Sequence, residues 1–199
     1  MHKRVLVLLA DGFEEIEAVA IVDTLRRADL EVVTAALRAD PSRIVHGAHG
    51  IDLAADRELD ACIGPNAPPF AALVLPGGMP GTQHLGDDPR VLELIRAMHA
   101  AGKLIAAICA APSVLAKAGV LEGVPATSFP GFQGKLAGAH VERERRVVVA
   151  GSIVTSQGPG TAIEFALELV HMLVGSARAT ELERAMIVNV PAALPAHRA

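Results

Sequence analysis

Short apolar runs alternate along the chain with longer segments in which apolar positions recur every three or four residues. The runs are Arg4–Ala10, Glu31–Ala36, Ala72–Leu75, Leu104–Ile108, Arg146–Ala150 and Ser152–Thr155. Each is short and aliphatic, which reads as a strand. Arg4–Ala10 and Leu104–Ile108 are apolar almost without interruption, the pattern of central strands buried on both faces. Between the runs, Glu14–Ala28 places Ile16, Val19, Ala20 and Leu25 at helical spacing and ends in Arg26 and Arg27. Pro89–Ala101 does the same with Val91, Leu92, Ile95 and Met98, and Ala110–Ala118 and Gly160–Leu173 complete the helical set. This alternation predicts an α/β fold with a mainly parallel sheet covered by helices on both faces.

One stretch departs from the alternation. His46–Leu53 sets a short apolar alternation among glycines, which suits a small β-hairpin, and Ala61–Phe70, with Pro65, Pro68 and Pro69, reads as a surface loop. From Val190 onward Pro191 and Pro195 leave little to bury. Residues 1–189 are therefore expected to form a single domain, and 190–199 a flexible tail.

Composition narrows the function classes. The 199 residues are 51% hydrophobic and 20% charged, which excludes a disordered, collagen-like or coiled-coil chain. A formal net charge of −4, with aromatic residues at 3% and no Trp or Tyr, argues against a nucleic-acid partner. Mean hydropathy is +0.39, yet no run of eighteen apolar residues occurs, so no membrane-spanning helix is expected. The apolar run Val5–Ala10 is too short for a signal peptide and Asp11, Glu14, Glu15 and Glu17 follow it at once, so the chain reads as cytoplasmic. Two cysteines, Cys62 and Cys109, make neither a disulfide framework nor a zinc pair.

Cys109 is the first candidate for chemistry. It ends the run Lys103-Leu-Ile-Ala-Ala-Ile-Cys109, and Ala110-Ala111-Pro112 opens a helical pattern in which Pro suits the first turn. A cysteine at such a strand-to-helix turn lies where ligands bind in open α/β sheets, and the positive end of the helix favours its thiolate. The free N–H of Ala110 could hold an oxyanion. The alternative is a buried cysteine acting as a small hydrophobe.

Glu17 is the second. Asp11 with Glu14 three residues on reads as a helix cap, which leaves Glu15 to solvent. Glu17 instead has Phe13, Ala20 and Ile21 as helical neighbours, so its carboxyl would be desolvated and its pKa raised. Such a group can hydrogen-bond a thiolate or shuttle a proton near neutral pH; the alternative is a surface glutamate reaching water. Two glycine turns follow strands, Pro76-Gly77-Gly78 and Gln157-Gly158-Pro159-Gly160, and the N–H of Gly78 could face a substrate oxygen. Neither is a phosphate loop or a dinucleotide fingerprint. His46 and His49 have no third ligand nearby in sequence, and no Gly-x-Ser-x-Gly occurs, so neither a metal site nor a serine hydrolase is expected.

Four segments together resemble the ThiJ/PfpI superfamily, in particular its Parkinson-disease-deglycase and YajL-like branch. They are Asp11-Gly-Phe-Glu-Glu-Ile-Glu17, Val74-Leu-Pro-Gly-Gly78, Ile105-Ala-Ala-Ile-Cys109-Ala-Ala-Pro112 and Thr155-Ser-Gln-Gly-Pro-Gly-Thr161. The resemblance implies a flavodoxin-like three-layer sandwich of the class I glutamine amidotransferase kind, and a homodimer. It implies Cys109 as an oxidation-sensitive nucleophile hydrogen-bonded to Glu17. It further implies a substrate site that includes Gly77, Gly78, Ala110 and Pro159, with Gly78 and Ala110 as oxyanion donors. The expected activity is a cofactor-independent glyoxalase or protein deglycase acting on 2-oxoaldehydes or early glycation adducts; the alternative is a redox-regulated holdase or oxidation sensor without turnover. Two departures stand out. Phe129 occupies the place where some members carry a histidine, so no imidazole base and no peptidase triad is expected. The family arginine of the hairpin is replaced by His49, while Arg27 is kept.

Overall fold

The structure, a computed structural model, describes residues 3–38 and 41–188. In chain order the strands and helices are β1 (Arg4–Leu9), α1 (Glu15–Arg27), β2 (Glu31–Ala36), β3 (Ile44–His46), β4 (Asp52–Ala54), β5 (Arg57–Glu58), β6 (Ala72–Leu75), α2 (Gly81–Asp87), α3 (Pro89–Ala100), β7 (Leu104–Ile108), α4 (Pro112–Lys117), β8 (Pro125–Ala126), β9 (His140–Val141), β10 (Val147–Ala150), β11 (Ile153–Ser156), α5 (Ala162–Leu173) and α6 (Ser176–Ala185). One sheet runs in the order β10-β11-β7-β6-β1-β2-β5. All its neighbours pair parallel except β10, which is antiparallel to β11 at the edge. The α/β sandwich expected from the alternation is the fold observed.

Successive strand residues point to opposite faces, so a central strand feeds two cores at once. Val5, Val7 and Leu9 of β1 pack with Ala18, Ile21 and Leu25 of α1 and with Phe165 and Leu169 of α5. Leu6 and Leu8 pack on the opposite side with Val91 and Ile95 of α3 and Val114 and Leu115 of α4. This two-sided burial is why Arg4–Ala10 reads as continuously apolar. The expected hairpin is present as β3 against β4, with Ile44 opposite Ala54.

The beginning of α1 differs from the expectation. Gly12, at φ +86°, turns the chain, and Phe13 buries its ring before the helix starts. Glu14, not Asp11, is therefore the N-cap: its backbone is extended and its carboxylate accepts the Glu17 N–H at 2.7 Å. Asp11 instead accepts the His46 N–H at 3.0 Å and ties the hairpin to this turn. Helices α2 and α6 were not legible from the apolar pattern. The first has only seven residues, two of them glycine, and the second buries only Leu182. The expected tail at 190–199 lies outside the described residues. Among the described residues no helix is long and apolar enough to cross a membrane.

Phe165 is fully buried between α5 and the sheet. Phe165→Ala is expected to lower stability by about 3–5 kcal/mol, from lost burial and the cavity left behind. Urea unfolding followed by circular dichroism measures it.

Candidate active site

The loops that leave the carboxyl ends of β6, β7 and β11 converge at one point, where an open parallel sheet leaves a crevice. Cys109 follows β7 directly and sits at φ +64°, a left-handed conformation that costs a non-glycine residue on the order of 1–3 kcal/mol. The turn is held from both sides: the Cys109 N–H donates to Ser156 O at 3.0 Å, and Cys109 O accepts the Phe129 N–H at 2.8 Å. This fixed, strained turn brings the half-buried thiol to the floor of the crevice. The N–H groups of Gly78 and Ala110 both face its sulfur.

Glu17 reaches the same point from α1. It has no exposed surface, as its apolar helical neighbours led one to expect. Its Oε2 accepts the Gly77 N–H at 2.7 Å, while Oε1 is buried with no nitrogen or oxygen partner. The carboxyl's other hydrogen-bonding neighbour is the Cys109 thiol. Burial pushes the Glu17 carboxyl up to about 7, against the Gly77 and Cys109 hydrogen bonds that favour its charge. The thiol is also pushed up, first by burial and then by the ionised Glu17 beside it. The helix end was expected to favour thiolate by itself, but burial and the neighbouring carboxylate outweigh it. Cys109 and Glu17 therefore act as one unit, in which the carboxylate accepts the S–H or, after transfer, the carboxylic acid donates to sulfur.

Close packing explains the glycine pair. A Cβ on Gly77 would lie 2.6 Å from Cys109 Cβ, and one on Gly78, at φ +92°, would collide with the backbone N of Glu14. The Gly77 N–H, expected among the substrate contacts, is donated to Glu17, and its carbonyl accepts the Glu14 N–H at 2.9 Å. It positions the carboxyl instead. Gly78 and Ala110 remain the two donors at the sulfur. Pro159 lines a different groove, together with Ile16 of α1 and Ile163 of α5.

Glu15 was expected in solvent and is buried. It accepts the His49 N–H at 2.5 Å, the His49 ring at 2.8 Å and the Ile51 N–H at 3.4 Å. Burial alone would raise its pKa, but these donors outweigh it and hold the carboxyl at about 2. No sequence signal marked this role, since the partners lie 34 to 36 residues away. Glu14, Glu15 and His49 bring ligand atoms within 4.8 Å of one another, the one such group among the described residues. The hydrogen bonds to the hairpin and to the start of α1 account for both carboxylates.

The chain matches the DJ-1/PfpI family over residues 3–172. It is 38% identical over 190 residues to the protein dj-1beta of Drosophila melanogaster, covering 94% of this chain and 98% of that protein. It is 33% identical over 171 residues to a deglycase of Pyrococcus abyssi, covering 85% of this chain and 99% of that one. The crystal structure of Drosophila melanogaster DJ-1beta superposes with a TM-score of 0.88 at 37% identity, covering 96% of this chain and all of that one.

Glu17 carries a pH signature that can be checked. Its proton is held to about pH 7 in the folded chain but is lost near pH 4.5 when unfolded. Between these values the folded state binds more protons, so the Glu17 contribution to stability falls as pH rises and reaches its full cost above pH 7. Glu17→Gln keeps the acceptor for Gly77 and removes the titration. Its stability relative to the native chain should rise by roughly 2–3 kcal/mol from pH 4.5 to pH 8. Urea unfolding across that range tests this; a difference that does not vary with pH would contradict it.

Proposed function

This chain belongs to the DJ-1/PfpI family, and from that premise we propose that it is a cofactor-independent glyoxalase and deglycase, acting on 2-oxoaldehydes or their early adducts with proteins. The observation that carries the reading is the buried Glu17–Cys109 pair on a strained turn, with the Gly78 and Ala110 N–H groups aimed at the sulfur.

In this reading, sulfur adds to the aldehyde carbon of the substrate. The Glu17 carboxylate takes the S–H proton as the C–S bond forms, so the nucleophile is made only when needed. The carbonyl π pair moves onto oxygen, which the Gly78 and Ala110 donors hold until Glu17 passes the S–H proton to it, giving a hemithioacetal and restoring the carboxylate. Glu17 then removes the proton from the former aldehyde carbon, forming an enediolate, and returns it to the neighbouring carbon, while the hydroxyl proton passes to the neighbouring oxygen. The product is the thioester of a 2-hydroxy acid. Water cleaves it, releases the hydroxy acid and restores the thiol. Overall one water is consumed, the aldehyde carbon is oxidised and its neighbour reduced, so no outside oxidant enters. A carboxyl near pKa 7 is suited to both giving and taking protons at neutral pH. Phe129, where some relatives carry histidine, leaves Glu17 as the acid–base group of the site.

We further propose that the chain works as a homodimer. Ile16, at 60% exposure, and Val19 lie exposed on α1, with Ile163 exposed on the adjoining α5. An apolar patch of this kind marks an interface.

Two outcomes are expected. Methylglyoxal should be converted to lactate by the native chain, with a loss of at least ~10²-fold in Cys109→Ser and in Glu17→Gln. The rate of the native chain should rise with pH through about 7, as Glu17 ionises. Chromatographic detection of lactate settles both points, and no lactate from the native chain overturns the reading. Sedimentation should give a dimer for the native chain and a monomer for Ile16→Asp.

A further inference from the structure

Resting on the glyoxalase reading, we propose that Phe129 sets the substrate class of the site. The aldehyde it favours is neutral and carries an aromatic or bulky apolar substituent, which packs on the Phe129 ring.

The position of this ring is fixed by the nucleophile itself. Its backbone N–H donates to Cys109 O at 2.8 Å, so Phe129 adjoins the elbow. The ring rests on glycine backbone: a Cβ on Gly158 would lie 3.5 Å from Cδ2, and one on Gly131 3.6 Å from Cδ1. Its remaining surface is open, and Phe129 is 45% exposed. Met79, also 45% exposed, follows Gly78 directly. Large apolar side chains thus stand exposed at the residue bonded to Cys109 O and at the residue that follows Gly78. Each forfeits burial until something apolar covers it.

Charge disfavours an anionic substrate. Glu14, Glu15 and Glu17 all stand at the start of α1, against the Cys109 turn. The carboxylate of Glu17 contacts the thiol, and Glu14 adds its own negative charge to the same spot. A 2-oxoaldehyde bearing a carboxylate or phosphate would bring its charge beside these carboxylates. An uncharged aryl or branched alkyl group would find the ring.

The test separates this proposal from the activity it rests on. Cys109 is alkylated with phenacyl bromide and with bromoacetone, each rate being divided by that with glutathione. The native chain should favour the aryl reagent, and Phe129→Ala should lower that preference about five- to tenfold, the worth of one aromatic contact. Phe129→Leu, which keeps apolar bulk without the ring face, should fall between them, and it carries the test if the alanine variant does not fold. Bromopyruvate, the anionic counterpart, should react more slowly than bromoacetone on the same scale. A preference unchanged in the folded variants, or a bromopyruvate rate equal to that of bromoacetone, overturns the proposal. In parallel, kcat/KM for phenylglyoxal over methylglyoxal is compared in the native chain and Phe129→Ala, with a fall of the same size expected. If no hydroxy acid forms from either aldehyde, the glyoxalase reading fails, while the alkylation ratios still decide the role of Phe129.

Discussion

The site depends on a carboxyl placed where water cannot reach it. An ionised carboxylate is costly to bury without donors, and Glu17 has one backbone donor, from Gly77, beside the Cys109 thiol. That single N–H requires the β6 loop to come against α1 so closely that only glycine fits at positions 77 and 78. The same approach aims the Gly78 N–H at the sulfur. One desolvated acid thus explains the glycine pair, the shared proton and the Gly78 donor at the sulfur together.

The backbone strain at Cys109 belongs to the same arrangement. A left-handed residue is kept only where its surroundings over-determine it. Here Ser156 on β11 and Phe129 after β8 each take one backbone group of Cys109. The β11 neighbour and the short parallel pair β8–β9, in which Pro125 pairs with His140, therefore help to hold the thiol in place.

How much was legible in the sequence follows from the range of the interactions. The central strands were legible because burial on both faces leaves an unbroken apolar run. Glu17 was legible because its neighbours four residues away on either side are Phe13 and Ile21. Cys109 was legible from the strand before it and the proline after it. The capping residue was misplaced by three positions because Gly12 and Phe13 form a turn of their own before the helix. The burial of Glu15 left no trace, since its donors come from a hairpin distant in sequence. Gly77 was expected to face substrate because a glycine pair does not reveal which N–H is spent on the protein. Helix α6 escaped notice because its polar face runs almost all the way round.

The placement of the second cysteine has a consequence for redox chemistry. Cys62 is buried in the core beneath α3, in a turn just after β5, and burial pushes its thiol pKa up. Cys109 packs against the core on the other face, at the end of β7. Cys62 shares a pocket with Lys103, just before β7, whereas Cys109 lies just past its other end, about 20 Å along the strand. A disulfide needs its Cα atoms within roughly 7 Å. A sulfenic acid formed on Cys109 thus has no resolving thiol within its own chain. Its return to the reduced state would depend on a small-molecule thiol or a second protein, and without one the next step is the sulfinic acid.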